Sequence, residues 1–179
     1  MPSIERLFAK LLIYLKDIVI DVVLKTEPSN KNLHFEDISK ERYLEAISKA
    51  RFNEGSAVYQ GETELTWTEY FSFRRDQIEV SRKTLIDYAH YLDAECNSLL
   101  AELCEDQFLY VLIPNAVQCE RSGIAYDMHI GEAGELLEML YDLTEKLNDY
   151  YKKNLLPFHS KGNKQILGIY KGSHKQITL

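Results

Sequence analysis

The chain of 179 residues carries 28 acidic and 21 basic side chains, and this acidic balance, a net charge of −7, argues against a general nucleic-acid binder. Its 45% apolar and 27% charged residues are the proportions of a globular protein, and the length predicts one domain with a sizeable core. The three widely spaced cysteines argue against a disulfide framework and indicate a reducing compartment, so we expect a cytoplasmic protein.

The first predicted element is a helix that ends near Lys25. Residues 7–24 are strongly apolar, but four charged side chains interrupt them, and each would cost about 2.5–3.5 kcal/mol at the centre of a bilayer. Three of these side chains, Lys10, Asp17 and Asp21, share one helical face. We therefore predict a central core helix, and a helix lying in a membrane interface is the alternative.

A second, shorter helix is expected after Ser39, which is a favourable N-cap residue. Tyr43 and Ile47 lie on its predicted inner face, and Gly55 lies near its end. Residues 56–64 are expected to be irregular, with an extended turn around Gly61.

The strongest pattern predicts a pair of consecutive helices between Leu65 and Pro114. Thr66 stands three residues before Glu69, which is the spacing of a capping box. Apolar residues then recur every seven positions and predict a buried stripe on one helical face. The stripe consists of Phe71, Ile78, Leu85, Leu92 and Leu99.

A second cap divides this pair. Asp93 is expected to start a helix that runs from Ala94 to Ile113 and ends at Pro114, followed by a mixed connection over residues 115–131. Beside the stripe, Arg75 and Arg82 are seven residues apart. We expect their guanidinium groups to reach water; the alternative is a pair of cations presented to an acidic partner or a phosphate.

The last predicted helix spans about Glu132 to Leu155, and Pro157 ends it. Its inward face is formed by Leu136, Leu140, Leu143, Leu147 and Tyr150. The elements together predict an all-α fold, a bundle of about five helices with a long central helical pair. Residues 1–157 would form this helical domain, and residues 158–179 a short basic extension.

The extension differs in charge from the rest of the chain. Six lysines and no acidic residue follow Asp149, whereas residues 1–149 carry a net charge of −13. Two short apolar runs around Gly172 are typical of a β-hairpin. The charge asymmetry indicates docking on an acidic protein surface. The predicted partner-binding residues are Ile166, Leu167, Ile169, Tyr170, Lys161, Lys164, Lys171 and Lys175.

Two Arg/His pairs supply an enzymatic alternative. Arg82 precedes His90, and Arg121 precedes His129, each with seven residues between them. With the helical content, these pairs resemble the HEPN ribonucleases, small helical bundles in which four to six residues separate the Arg and the His. The wider spacing here rotates the pair by about 80° around a helix. The resemblance implies RNA cleavage without a metal ion, with the His as catalytic base.

The sequence is best interpreted as a non-enzymatic helical protein-interaction module, an accessory or regulatory subunit of a larger bacterial assembly. Its partner would be another protein or a second copy of the chain. The alternatives are a small helical ribonuclease or toxin and a peripheral membrane protein anchored through the first helix. No cofactor or metal site is predicted, because the sequence contains no phosphate-binding glycine loop and no paired-histidine zinc motif.

Overall fold

A computed structural model describes residues 3–124 and 130–156 of the chain. These residues are mostly helical and include one small antiparallel sheet. The helices are α1 Ile4–Thr26, α2 Lys40–Lys49, α3 Trp67–Ile86, α4 Ala94–Cys104, α5 Ile113–Arg121 and α6 Ile130–Tyr150, and the strands are β1 Gly55–Gln60 and β2 Thr63–Thr66. Short 3₁₀ turns cover Phe35–Asp37 and Ala89–Tyr91, and π-helical turns cover Phe108–Leu112 and Tyr151–Leu155.

Helix α1 lies at the centre of the core, as predicted. It packs against α2, α3 and α6, and its apolar face, which includes Phe8, Leu15 and Val22, is fully buried. Because this face is buried, few of its apolar side chains are exposed to contact a lipid surface. Within residues 3–124 and 130–156, no helix combines the length and the apolar character that crossing a bilayer requires.

Three predicted helix starts are confirmed by their cap geometry. The side chain of Ser39 accepts a hydrogen bond from the backbone N–H of Arg42 at 3.1 Å. Thr66 and Glu69 form the reciprocal capping box, with both hydrogen bonds at 3.1 Å. Asp93 caps α4 through the backbone N–H of Cys96 at 2.8 Å. Each cap satisfies a donor that the first helical turn would otherwise leave without a partner.

The predicted helix from Ala94 to Ile113 is wrong, since α4 ends at Cys104. Asp106 then caps a new helical segment, because its Oδ1 accepts the backbone N–H of Leu109 at 2.9 Å. The π-helical turn follows and continues directly into α5. Pro114 therefore lies in the first turn of a helix instead of ending one. Residues 115–121, expected to belong to a mixed connection, are helical.

Residues 56–64 are not irregular, because β1 and β2 form an antiparallel hairpin with the expected turn at Gly61, whose φ is 65°. The strand pairing is shifted between Gly55 and Tyr59 by a bulge in which Ala57 has a φ of 64°. A Cβ atom added to Gly55 would lie 1.9 Å from Oε1 of Glu64 and would displace this carboxylate, which accepts the backbone N–H of Ala57 at 3.1 Å.

The predicted apolar stripe is confirmed in its first half. Phe71, Ile78 and Leu85 on α3 are fully buried. Leu92 and Leu99 are only half-buried, because the chain turns at Ala89–Tyr91 and the seven-residue repeat no longer follows a single helix. The stripe extends at its start into an aromatic cluster of Phe52, Trp67, Tyr70, Phe71 and Phe108.

The last predicted helix is confirmed as α6 and the π-helical turn that follows it. Leu140, Leu143, Leu147 and Tyr150 are buried, whereas Leu136 is half-buried at the edge of the core. The described residues contain six α-helices where about five were expected, because residues 94–121 divide into two. Pro157 and the predicted C-terminal hairpin lie beyond the last described residue.

Candidate interaction surface

A groove of about 500 Å³ runs between α3 and α5 and opens to solvent. We call it the α3–α5 groove. One wall contains Thr68, Ser72 and Asp76 of α3, and the other contains Val117, Glu120 and Arg121 of α5. The α3 residues lie four apart and therefore share one helical face, beside the buried stripe. The hairpin closes one end of the groove with Gln60 and Leu65.

The groove combines an apolar floor with exposed apolar side chains at its edge. Leu65 and Thr68 are buried beneath it, and Val117 is half-buried. Phe73 at the rim is 47% exposed, and Val80, seven residues further along the same face of α3, is 67% exposed. Large apolar side chains left open beside a concave surface are typical of a docking site.

Ile124 adds another exposed apolar side chain close to the α5 wall. Helix α5 ends in a Schellman arrangement, in which Gly123 has a φ of 73° and the backbone N–H of Ile124 donates to the carbonyl of Cys119 at 2.9 Å. This arrangement holds Gly123 and Ile124 directly after the last helical residue, Arg121. The Ile124 side chain is nevertheless 60% exposed, so the helix cap does not bury it.

The groove is acidic. Glu69, Asp76 and Glu120 face the single cation Arg121 among the residues that line it. Asp76 is mostly exposed and lies 3.4 Å from Arg75, so solvent screens this pair and the carboxylate is still open to a ligand. A net negative surface over an apolar floor favours a basic segment that carries apolar side chains.

Arg75 and Arg82 hold the π-helical turn against α3, so their guanidinium groups do not simply reach water. The ring of Tyr110 lies between them, 5.1 Å from the Arg75 guanidinium and 5.9 Å from that of Arg82. Arg82 also donates to Glu79 at 2.9 and 3.2 Å and to the Tyr110 hydroxyl at 3.2 Å. Its Nε and Nη2 donors are thus engaged within the molecule.

The ionisation of this cluster follows from its contacts. Hydrogen bonds from Arg82 lower the pKa of Glu79 to about 2. Burial, helped by the hydrogen bond to Glu79, raises the pKa of Tyr110 to about 12. At neutral pH the cluster therefore consists of a carboxylate, a neutral phenol and a guanidinium. These states suit a structural contact between α3 and the π-helical turn.

The other residues of the two Arg/His pairs are separated from this cluster. His90 lies in the 3₁₀ turn beyond the end of α3, is exposed, and has its ring centre 5.4 Å from that of Tyr91. Arg121 lines the α3–α5 groove. His129, and the partner-binding residues predicted in the extension, lie outside the two described ranges. Over those ranges, no three His, Cys, Asp or Glu side chains are grouped as a metal ion would require.

Asp17 and Asp21 of α1 belong to a second charged cluster, between α1 and α3. Arg74 lies 3.4 Å from both Asp17 and Asp21, and the Tyr70 hydroxyl donates to Asp21. Burial raises the pKa of both aspartates, and Arg74 opposes this rise. Pairing with Arg74 explains how a central core helix accommodates these two acidic residues.

One sequence pattern indicates the α3 wall of the groove. Phe73 and Val80 repeat at seven residues, outside the predicted buried stripe, which indicates a second apolar face on α3. The opposite wall was missed because residues 115–121 were expected to be a connection. Comparison with protein-family models, with curated proteins and with solved structures finds no match to this chain.

Proposed function

We propose that this chain is a non-enzymatic protein-interaction module that binds its partner through the α3–α5 groove. The observation that carries the proposal is the exposed pair Phe73 and Val80 beside an acidic groove with an apolar floor. In this proposal the chain is an accessory or regulatory subunit of a larger bacterial assembly and works in the cytoplasm. Residues 1–157 form a helical bundle that presents the groove.

The chemistry of the groove favours a basic peptide segment as ligand. An apolar side chain of the segment would contact Leu65, Phe73 and Val117, and its cations would lie near Asp76 and Glu120. Exposed ion pairs contribute only about 0–1 kcal/mol each, so the apolar contacts should supply most of the affinity. The carboxylates would speed encounter and fix orientation.

The geometry of Arg82 favours this proposal over a nuclease that uses that residue. A catalytic arginine must contact the phosphate of its substrate, whereas Glu79 and Tyr110 engage the guanidinium of Arg82. Releasing it would leave the Glu79 carboxylate without its principal partner.

The proposal is tested by affinity capture from the native host with the full chain, its Phe73→Glu variant and its Met139→Glu variant. Met139 is a matched control, since it is also an exposed helical side chain, 55% accessible, but lies on α6. We expect Phe73→Glu to lose a partner that the wild type and Met139→Glu both retain, with equal melting temperatures. Equal recovery of every co-purifying protein by both variants would contradict the proposal.

A further inference from the structure

We infer that the α3–α5 groove is occupied by the basic C-terminal segment of the same chain, residues 158–179, which competes there with the partner. This inference rests on the proposed function, because it names the regulation of the same site. Residues 158–179 would then compete with the partner for the groove within the same chain.

Charge complementarity is the first argument. The groove presents Glu69, Asp76 and Glu120 against Arg121 alone, whereas residues 158–179 contain four lysines, two histidines and no acidic residue. Within the segment, the apolar run Ile166, Leu167, Ile169 and Tyr170 lies between Lys164 and Lys171. An apolar run with a cation at each end matches an apolar floor with carboxylates along its walls.

The point at which the segment leaves the described chain is the second argument. The Tyr150 hydroxyl donates to Oδ2 of Asp93 at 2.9 Å, which places the end of α6 beside the start of α4. Asp93 is only seven residues beyond the end of α3. The segment therefore starts from the same end of the molecule as the C-terminal end of α3.

Chain length is the third argument. From Ile86 back to Ser72, near the middle of the groove, α3 rises by roughly 21 Å at 1.5 Å per residue. Residues 157–165 can extend over at most about 30 Å at 3.3 Å per residue. The span along α3 is thus within the reach of nine extended linking residues, which is compatible with docking of Ile166–Tyr170 in the groove of the same copy.

The test is photo-crosslinking of the full chain with a photoreactive phenylalanine analogue in place of Phe73. We expect mass spectrometry of the monomer band to find links from position 73 to peptides of residues 158–179. The same analogue in place of Met139 serves as control and should give no such link. Replacing Lys161, Lys164, Lys171 and Lys175 together by Glu should lower the yield about tenfold, which corresponds to the loss of 1.4 kcal/mol.

Links found only in a dimer band would overturn docking within one copy and identify a second copy as the occupant. Links from position 73 that never reach residues 158–179 would overturn the inference entirely. The proposed function fails by a different result, namely partner recovery that Phe73→Glu leaves unchanged. If both proposals hold, the four Lys→Glu substitutions should increase partner recovery by the full chain, because they weaken the competitor.

Discussion

Nε of Arg75 on α3 donates to the carbonyl oxygen of Leu109 in the π-helical turn at 2.9 Å. In that turn the backbone N–H of Ile113 donates to the carbonyl of Phe108, five residues earlier. The next bond of the same register would run from residue 114 to Leu109. Pro114 has no N–H, so the Arg75 guanidinium supplies the missing donor from a neighbouring helix.

This relationship predicts coupling between Arg75 and Pro114. Arg75→Ala should destabilise the protein by about 1–3 kcal/mol, because it leaves the Leu109 carbonyl without a donor. In a Pro114→Ala background the new N–H can bond Leu109, so the same change should cost less. Urea unfolding of the two single variants and the double variant measures the coupling. Strictly additive costs would show that the two residues act independently.

Asp106 predicts a pH dependence of stability. Burial raises its pKa to about 6 from an ordinary 3.8, even though the carboxylate accepts backbone N–H groups of Phe108 and Leu109. Because the folded-state pKa is the higher one, the protonated form stabilises the fold fully below pH 3.8. That contribution is lost as the pH rises through 6, and its upper limit is about 3 kcal/mol.

Asp106→Asn should therefore stabilise the protein at pH 8 relative to wild type, since asparagine keeps the helix cap without the buried charge. The difference between the two proteins should shrink as the pH is lowered toward 4. Melting temperatures of both proteins at pH 4, 6 and 8 provide the measurement. A difference that stays constant over this range would show that Asp106 does not titrate as described.

The bulge in β1 predicts a stabilising substitution. A φ of 64° at Ala57 is a left-handed conformation, which costs a residue with a Cβ about 1–2 kcal/mol. Ala57→Gly should relieve part of this cost and stabilise the protein by about 0.5–1 kcal/mol, after the larger entropy loss of glycine on folding. Gly55→Ala, in the same bulge, should destabilise it because of the contact with Glu64. Thermal unfolding checks both, and stabilisation by Gly55→Ala would contradict the described bulge.

Local signals account for the parts of the fold that could be predicted. Ser39, Thr66 and Asp93 mark helix starts through hydrogen bonds to residues only three positions away, so a short stretch of sequence contains the whole interaction. The break after Cys104 has a local signal as well, since Asp106 is a cap residue. Its position within a continuous apolar pattern made the longer helix the simpler interpretation.

Long-range contacts account for most of what the sequence could not predict. Pro114 was expected to end a helix but lies in the first turn of α5, and the Leu109 carbonyl that its missing N–H would have reached is bonded by Arg75, 39 residues earlier. Helix α5 then forms the second wall of the groove by packing directly against α3, with Ile113 and Ala116 buried. The groove therefore depends on a pairing between distant residues that periodicity within one segment does not contain.

The ribonuclease alternative makes a separate prediction. The Nε and Nη2 donors of Arg82 are engaged by Glu79 and Tyr110, and Arg121 lines an acidic groove. Acidic side chains repel the phosphates of RNA, so we expect the full chain not to cleave single-stranded RNA in the presence of a chelator. Gel analysis of a labelled RNA, with His90→Ala and His129→Ala as matched variants, checks this. Cleavage by the wild type that either variant loses would establish a nuclease and displace the non-enzymatic proposal, whereas full cleavage that persists in both would exclude both histidines as its catalytic base.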